Sequence, residues 1–152
     1  MVKANDYLKR LAKCDAIIEN KLSEKEYYKR IASGITSNPG GERVQASGSK
    51  QRMADAVDKW VDIDREIDKC IDDQITLRTE IVGVIQQLKS AVEYDILHKM
   101  YVGVMTEKPE ETIAVERLTF QQIADLYGKT YSWATTVHGR ALQNVQKILD
   151  AM

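Results

Sequence analysis

The sequence has few of the residues that interrupt helices or build strand-and-turn architectures. Its 152 residues include two prolines, eight glycines and one phenylalanine. No apolar run approaches the roughly 18 residues that span a membrane, and no signal peptide opens the chain, so we expect no membrane partner. Apolar residues make up 43% of the chain and charged residues 30%. This composition is typical of a helix-rich globular protein of one domain or two small ones.

Residues that carry reactive chemistry are also scarce. Cys14 and Cys70 fit no metal-ligand spacing and fall on helical apolar stripes, so we interpret them as reduced core residues of a cytoplasmic protein. His98 and His138 have no serine or cysteine beside them in a catalytic arrangement. The aspartates between residues 58 and 73 are more typical of a solvated helix face than of a cation site. The sequence therefore predicts no enzyme, no cofactor and no metal.

The strongest local pattern is LTFQQIADLYGKTYSWATTVHGRALQNVQKIL, from residue 118 to residue 149. Thr119 and Gln122 have the spacing of a capping box, Gly128 suits a left-handed turn, and Thr130 can cap a second helix. Apolar residues then recur at spacings of three and four: Ala134, Val137, Ala141, Leu142, Val145 and Leu149. Two helices joined by a short glycine turn predict a helix-turn-helix, whose second helix reads DNA. An ordinary helical hairpin in a core is the alternative.

This segment resembles region 4 of bacterial sigma factors, and the run TFQQIADLYGKTYSWATTVHGRAL carries the likeness without a gap. The rest of the chain is similar to phage sigma-like or ArpU-type transcriptional regulators, in the pieces NDYLKRLAKCDAIIENK, GERVQASGSK and YDILHKMYV. The resemblance implies a phage or prophage origin and a role in transcription. It also implies double-stranded DNA and RNA polymerase as partners.

The second helix of the motif supplies the predicted DNA contacts. By the resemblance, Tyr131, Ser132, Thr135 and Thr136 lie where the family reads base edges. The family usually has arginine or glutamate at several of these positions, so this chain would read bases more weakly, through hydroxyls and threonine methyls. The complete set assigned to DNA is Lys129, Thr130, Tyr131, Ser132, Trp133, Thr135, Thr136, His138 and Arg140.

Three of these residues have a more specific expectation. Lys129 and Arg140 are the natural phosphate contacts, with ordinary surface charge as the alternative. Trp133 either packs against the preceding helix, which its size favours, or contacts DNA or polymerase. His138 is expected to point away from the apolar face of its helix.

Charge is distributed unevenly around a formal net charge of −1. Residues 118–152 carry three bases, Lys129, Arg140 and Lys147, against two acids, Asp125 and Asp150, for a net charge of +1. Residues 1–33 carry eight bases against five acids, a net charge of +3. Because phosphate neutralisation supplies most non-specific affinity, the recognition segment alone predicts weak DNA binding.

The N-terminal half predicts a long helical hairpin that resembles a coiled coil. One helix runs from about residue 5 to residue 33, a loop covers residues 34–49, and Ser49 caps a second helix whose apolar spacing persists to Leu88. This second helix is longer than the first, which predicts a homodimer or higher oligomer through the N-terminal helices. Gly83 is expected to bend it or to mark a close contact.

The predicted fold is all-α, with a hairpin domain over residues 1–89 and a helix-turn-helix domain over residues 90–152. Ser90 and Glu93 form a second capping box at the start of the latter, and residues 103–118 are predicted as an acidic connector around Pro109. The sequence as a whole favours a phage or prophage transcriptional regulator. An oligomeric scaffold or assembly protein is the alternative, as is a small-terminase-like packaging protein that retains DNA.

Overall fold

The computed structural model describes residues 2–34, 46–107 and 113–152, and over these residues the fold is all-α, as predicted. Its helices are α1 (Ala4–Ala32), α2 (Ala46–Ile85), α3 (Ala91–Leu97), α4 (Phe120–Tyr127) and α5 (Tyr131–Ala151). A π-helical turn, His98–Val102, continues directly from α3, and the strands β1 (Val104–Glu107) and β2 (Ile113–Glu116) form one small antiparallel sheet.

The chain forms two compact units. One comprises the residues up to Lys13 together with Ile75–Met152, and the other comprises Cys14–Gln74. The sequence predicted one boundary, between residues 89 and 90. The structure divides the chain differently because the beginning of α1 and the end of α2 share a core with α5. That core includes Leu8, Leu11, Ile81, Ile85, Ala141 and Val145.

Within the unit Cys14–Gln74, α1 and α2 run antiparallel. The Lys21 ammonium donates to Glu66 at 2.7 Å, while the Gln74 side chain donates to Asp15, so position along α1 rises as position along α2 falls. Ion pairs as exposed as Lys21–Glu66 are screened by water and contribute little, so apolar burial carries more of the stability. Ile67 is an example, with 4% of its surface exposed.

The predicted loop at residues 34–49 falls mostly outside the described residues. Gly34 ends α1 with φ +73°, as the sequence indicated, but α2 already begins at Ala46. Ser49 therefore lies within the helix, and its predicted role as the N-cap is wrong. Serine is a preferred cap but is also tolerated in a helix, so a single serine does not set the first residue. Gly83 marks no close contact, since nothing lies within 4 Å of the position a Cβ would occupy.

The predicted connector at residues 103–118 is wrong in its described part, because β1 and β2 pair there from Val104 opposite Glu116 to Glu107 opposite Ile113. β-branched residues occupy both strands, and the acidic composition around Pro109 obscured them in the sequence. Gly103 precedes β1 with φ +100°, and a Cβ there would lie 2.5 Å from Cγ1 of Val115. Only glycine therefore fits this approach.

The predicted capping box at α3 forms in part. The Ser90 hydroxyl accepts from the backbone N–H of Glu93 at 3.3 Å. The Glu93 carboxylate instead accepts from the Asn144 side chain at 2.9 Å, and this glutamate is buried. A residue that local spacing assigns to a cap thus joins α3 to α5.

Candidate nucleic-acid interface

The helix-turn-helix predicted from the sequence is present over α4 and α5. Thr119 accepts from the Gln122 N–H at 3.2 Å, and the Gln122 side chain accepts from the Thr119 N–H at 2.8 Å, so the capping box is complete. Gly128 has φ 63° and ψ 34°, the predicted left-handed turn. Thr130 then caps α5 by accepting from the Trp133 N–H at 3.1 Å. These local interactions therefore fix where α4 begins, where the turn lies and where α5 begins.

A small core fixes α5 against α4. Ile123 and Ala124 of α4 meet Ala134 and Val137 of α5, with Ile96 of α3 beneath them. The two alanines are fully buried, and their small side chains allow the helices to approach closely. The inner face of the second helix is the one that the spacing predicted.

The opposite face of α5 carries most of the predicted DNA-contact residues. The exposed ones, at the turn and along the helix, are Lys129, Thr130, Tyr131, Ser132, Thr136 and Arg140. Thr135 is half-buried beside them. The structure thus exposes one aromatic side chain, several hydroxyls and two cations at the turn and along the first half of α5.

The two threonines have restricted hydrogen-bonding roles. Both hydroxyls donate to the carbonyl oxygen of Ser132, from Thr135 at 2.9 Å and from Thr136 at 2.8 Å. A hydroxyl whose proton is donated to a helix carbonyl can still accept a hydrogen bond through its oxygen. These two side chains therefore suit the amino groups of adenine or cytosine and the thymine methyl, rather than acceptor groups of guanine.

Trp133 packs against the preceding helix, as its size favoured. Its ring lies 5.3 Å from the ring of Tyr127, at the end of α4. The Tyr127 hydroxyl in turn donates to Asp95 of α3, and Lys99 donates to the same carboxyl group. Burial and the Asp95 hydrogen bond raise the pKa of Tyr127 to about 12. Burial raises the pKa of Asp95, but the hydrogen bonds outweigh it and hold that pKa below its ordinary value.

His138 does not point away from the protein, and this expectation is corrected. Its Nε2 lies 2.7 Å from the Tyr101 hydroxyl, which donates to Asn5 Oδ1 at 3.1 Å, so the imidazole is the donor in the first bond. The ring stacks on Tyr101 and meets Phe120 edge to face at 4.9 Å. Burial and the charge of Lys9 lower the pKa of His138, and burial raises that of Tyr101 to about 12.

The described residues hold little else of chemical interest. Over residues 2–34, 46–107 and 113–152, no group of three His, Cys, Asp or Glu side chains could hold a metal ion. Within the same ranges no helix has the length and apolar character needed to cross a membrane. Cys14 and Cys70 are both free thiols and half-buried, and burial raises the pKa of Cys14.

Asn5 and Tyr101 were not found by sequence reasoning, although they position His138 of α5. Their separation in the chain leaves no local signal, and only a conserved pairing across related sequences could reveal the contact between them.

Comparison with known proteins found no matching family model, no matching curated protein and no matching solved structure.

Proposed function

We propose that this protein is a phage-type transcriptional regulator that binds promoter DNA through α5. The observation that carries the proposal is the exposed face of α5, where Ser132 and Thr136 lie between the cations Lys129 and Arg140. The second helix of a helix-turn-helix enters the major groove with the residues of its first turns toward the bases. The two cations then meet phosphates, and the hydroxyls and Tyr131 meet base edges.

This division of roles defines the mechanism. Phosphate contacts orient the helix on any duplex, while the threonines discriminate among sequences through their free acceptor positions and methyl groups. The regulator acts in the cytoplasm without catalysis. RNA polymerase and a second copy of the chain are the proposed partners that raise a weak affinity, because linked weak contacts reinforce one another.

A scaffold or packaging protein is the second candidate, and one observation favours it. Val57, Val61 and Ile71 on α2 are each 38% exposed within the unit Cys14–Gln74. Apolar side chains that remain exposed along a helix are typical of surfaces that assemble. In this candidate the helix-turn-helix has a reduced or different role on DNA.

The test is selection of duplexes from a random pool, followed by fluorescence anisotropy on the selected site and on a scrambled one. Replacing Thr135 and Thr136 together by alanine should lower the ratio of the two affinities by about fivefold or more, the lower end of the 1–3 kcal/mol expected of a good base contact. Thr79→Ala is the matched control, since Thr79 is exposed and donates to the Ile75 carbonyl at 2.9 Å in the same helical manner. If no duplex binds at 20 mM salt, with or without polymerase, the regulator proposal fails and the scaffold candidate replaces it.

A further inference from the structure

The basic beginning of α1 lies in the same compact unit as the recognition helix. The Ala4 N–H donates to the Gln146 side chain at 2.8 Å, and that side chain donates to the Val2 carbonyl at 3.1 Å. Leu8, one turn later, shares a buried core with Ala141 of α5. α1 and α5 are therefore joined at Ala4 and Gln146 and contribute side chains to one buried core.

A second connection leads toward the start of α5. The Tyr101 hydroxyl joins Asn5 of α1 to His138 of α5, through bonds of 3.1 and 2.7 Å. Ala4 thus contacts Gln146 in the second half of α5, whereas Asn5 is linked through Tyr101 to His138, eight positions nearer the start of α5. This linkage connects the beginning of α1 to the half of α5 that follows the turn.

Lys9 is the next residue on this side of α1. Residues four apart lie on the same face of a helix, so Lys9 follows Asn5 and Lys13 follows Lys9. Both lysines are exposed. The positive charge of Lys9 interacts electrostatically with His138 and helps to lower the pKa of that histidine. Arg10, by contrast, lies over the Tyr7 ring with its guanidinium carbon 5.7 Å from the ring centre.

The start of α1 also supplies the charge that the recognition segment lacks. Residues 2–13 contain four bases, Lys3, Lys9, Arg10 and Lys13, against the single acid Asp6, for a net charge of +3. Residues 118–152 reach only +1. A helix-turn-helix that binds DNA needs cations beside its reading helix, because each neutralised phosphate releases a counterion.

We propose that Lys9 and Lys13 of α1 contact the DNA backbone beside the recognition helix, so that the phosphate-binding surface is built from both ends of the chain. This inference rests on the proposed function of α5. It extends that function by assigning phosphate contacts to a helix outside the helix-turn-helix.

The expected magnitude follows from counterion release. Each lysine that neutralises one phosphate contributes about 0.9 to the slope of log affinity against log salt, so Lys9→Ala should flatten the slope by about that amount. Extrapolated from 1 M to 0.1 M salt, one such contact corresponds to about eightfold in affinity. The pair Lys9→Ala and Lys13→Ala should double the change in slope. The double replacement should leave the ratio of the affinities for the selected and scrambled duplexes unaltered, because phosphate contacts carry no sequence information.

The experiment measures anisotropy of a fluorescein-labelled 30-base-pair duplex from 50 to 300 mM salt. Lys69→Ala is the control, since it makes the same charge change at an exposed position of α2 in the other compact unit. Circular dichroism confirms that each variant is folded. If Lys9→Ala and Lys13→Ala bind with the native slope while Arg140→Ala flattens it, the inference is wrong and the proposed function stands. Equal losses for Lys69→Ala would also overturn it, as a net-charge effect. Absence of binding by the native chain would remove both proposals.

Discussion

Three glycines of one compact unit allow the backbone of the candidate interface to be tested by the same substitution, glycine to alanine. Gly103, Gly128 and Gly139 occupy three different environments. Gly103 has φ 100° and ψ 168°, and an added Cβ would lie 2.5 Å from Val115 and 3.1 Å from the Glu116 carbonyl. Gly128 has φ 63° with open space around it, and Gly139 lies within α5 with open space as well.

The expected changes in the free energy of unfolding follow from these environments. Gly103→Ala combines a conformation reserved for glycine, worth about 1–3 kcal/mol, with an overlap of similar magnitude, so it should destabilise by about 3 kcal/mol or more. Gly128→Ala forces alanine into the left-handed region and should destabilise by about 1 kcal/mol. Gly139→Ala removes a flexible residue from a helix and should stabilise by about 1 kcal/mol.

The assay is urea unfolding followed by the fluorescence of Trp133, in a Trp60→Phe background. The chain has two tryptophans, and only Trp133 belongs to the unit that holds the three glycines. The substitution therefore makes the signal report that unit. A Gly103→Ala variant as stable as the parent would refute the described backbone before β1. A loss of stability in Gly139→Ala would refute the open space beside α5.

Two further predictions concern buried polar groups in the same unit. Because the fold holds the pKa of His138 below 6.5, the unfolded chain takes up the proton first, so stability should be complete above about pH 6.5 and fall as the pH drops below it. Urea midpoints from pH 8 to pH 5 should show a smaller decline in His138→Gln, and an identical decline would contradict the role given to this histidine. Asn144→Ala should destabilise by about 2 kcal/mol, because it removes a hydrogen bond from the buried Glu93 carboxylate. The exposed neighbour Gln143 supplies the control, and equal effects of Gln143→Ala and Asn144→Ala on thermal unfolding would show that the bond contributes nothing.

Local chemistry made the helix-turn-helix predictable from the sequence alone. The cap at Thr119, the turn at Gly128 and the cap at Thr130 each involve residues at most four positions away. The sequence spacing of these residues is therefore enough to predict their contacts. The inner face of α5 followed from helical periodicity for the same reason. The all-α class followed from the long periodic stripes and from the scarcity of residues that interrupt helices.

Tertiary packing decided what local spacing could not. Glu93 and Asn144 are 51 positions apart, and Asn5 and Tyr101 are 96 apart, so neither pair leaves a trace in any short window of sequence. Packing turned His138 inward, because its ring gains aromatic and hydrogen-bond partners there. It also placed the beginning of α1, whose positive charge is plain in the sequence, against α5. The sequence by itself determined which segment forms two capped helices joined by a glycine turn, and only the tertiary structure decided which distant residues share a core with the second of them.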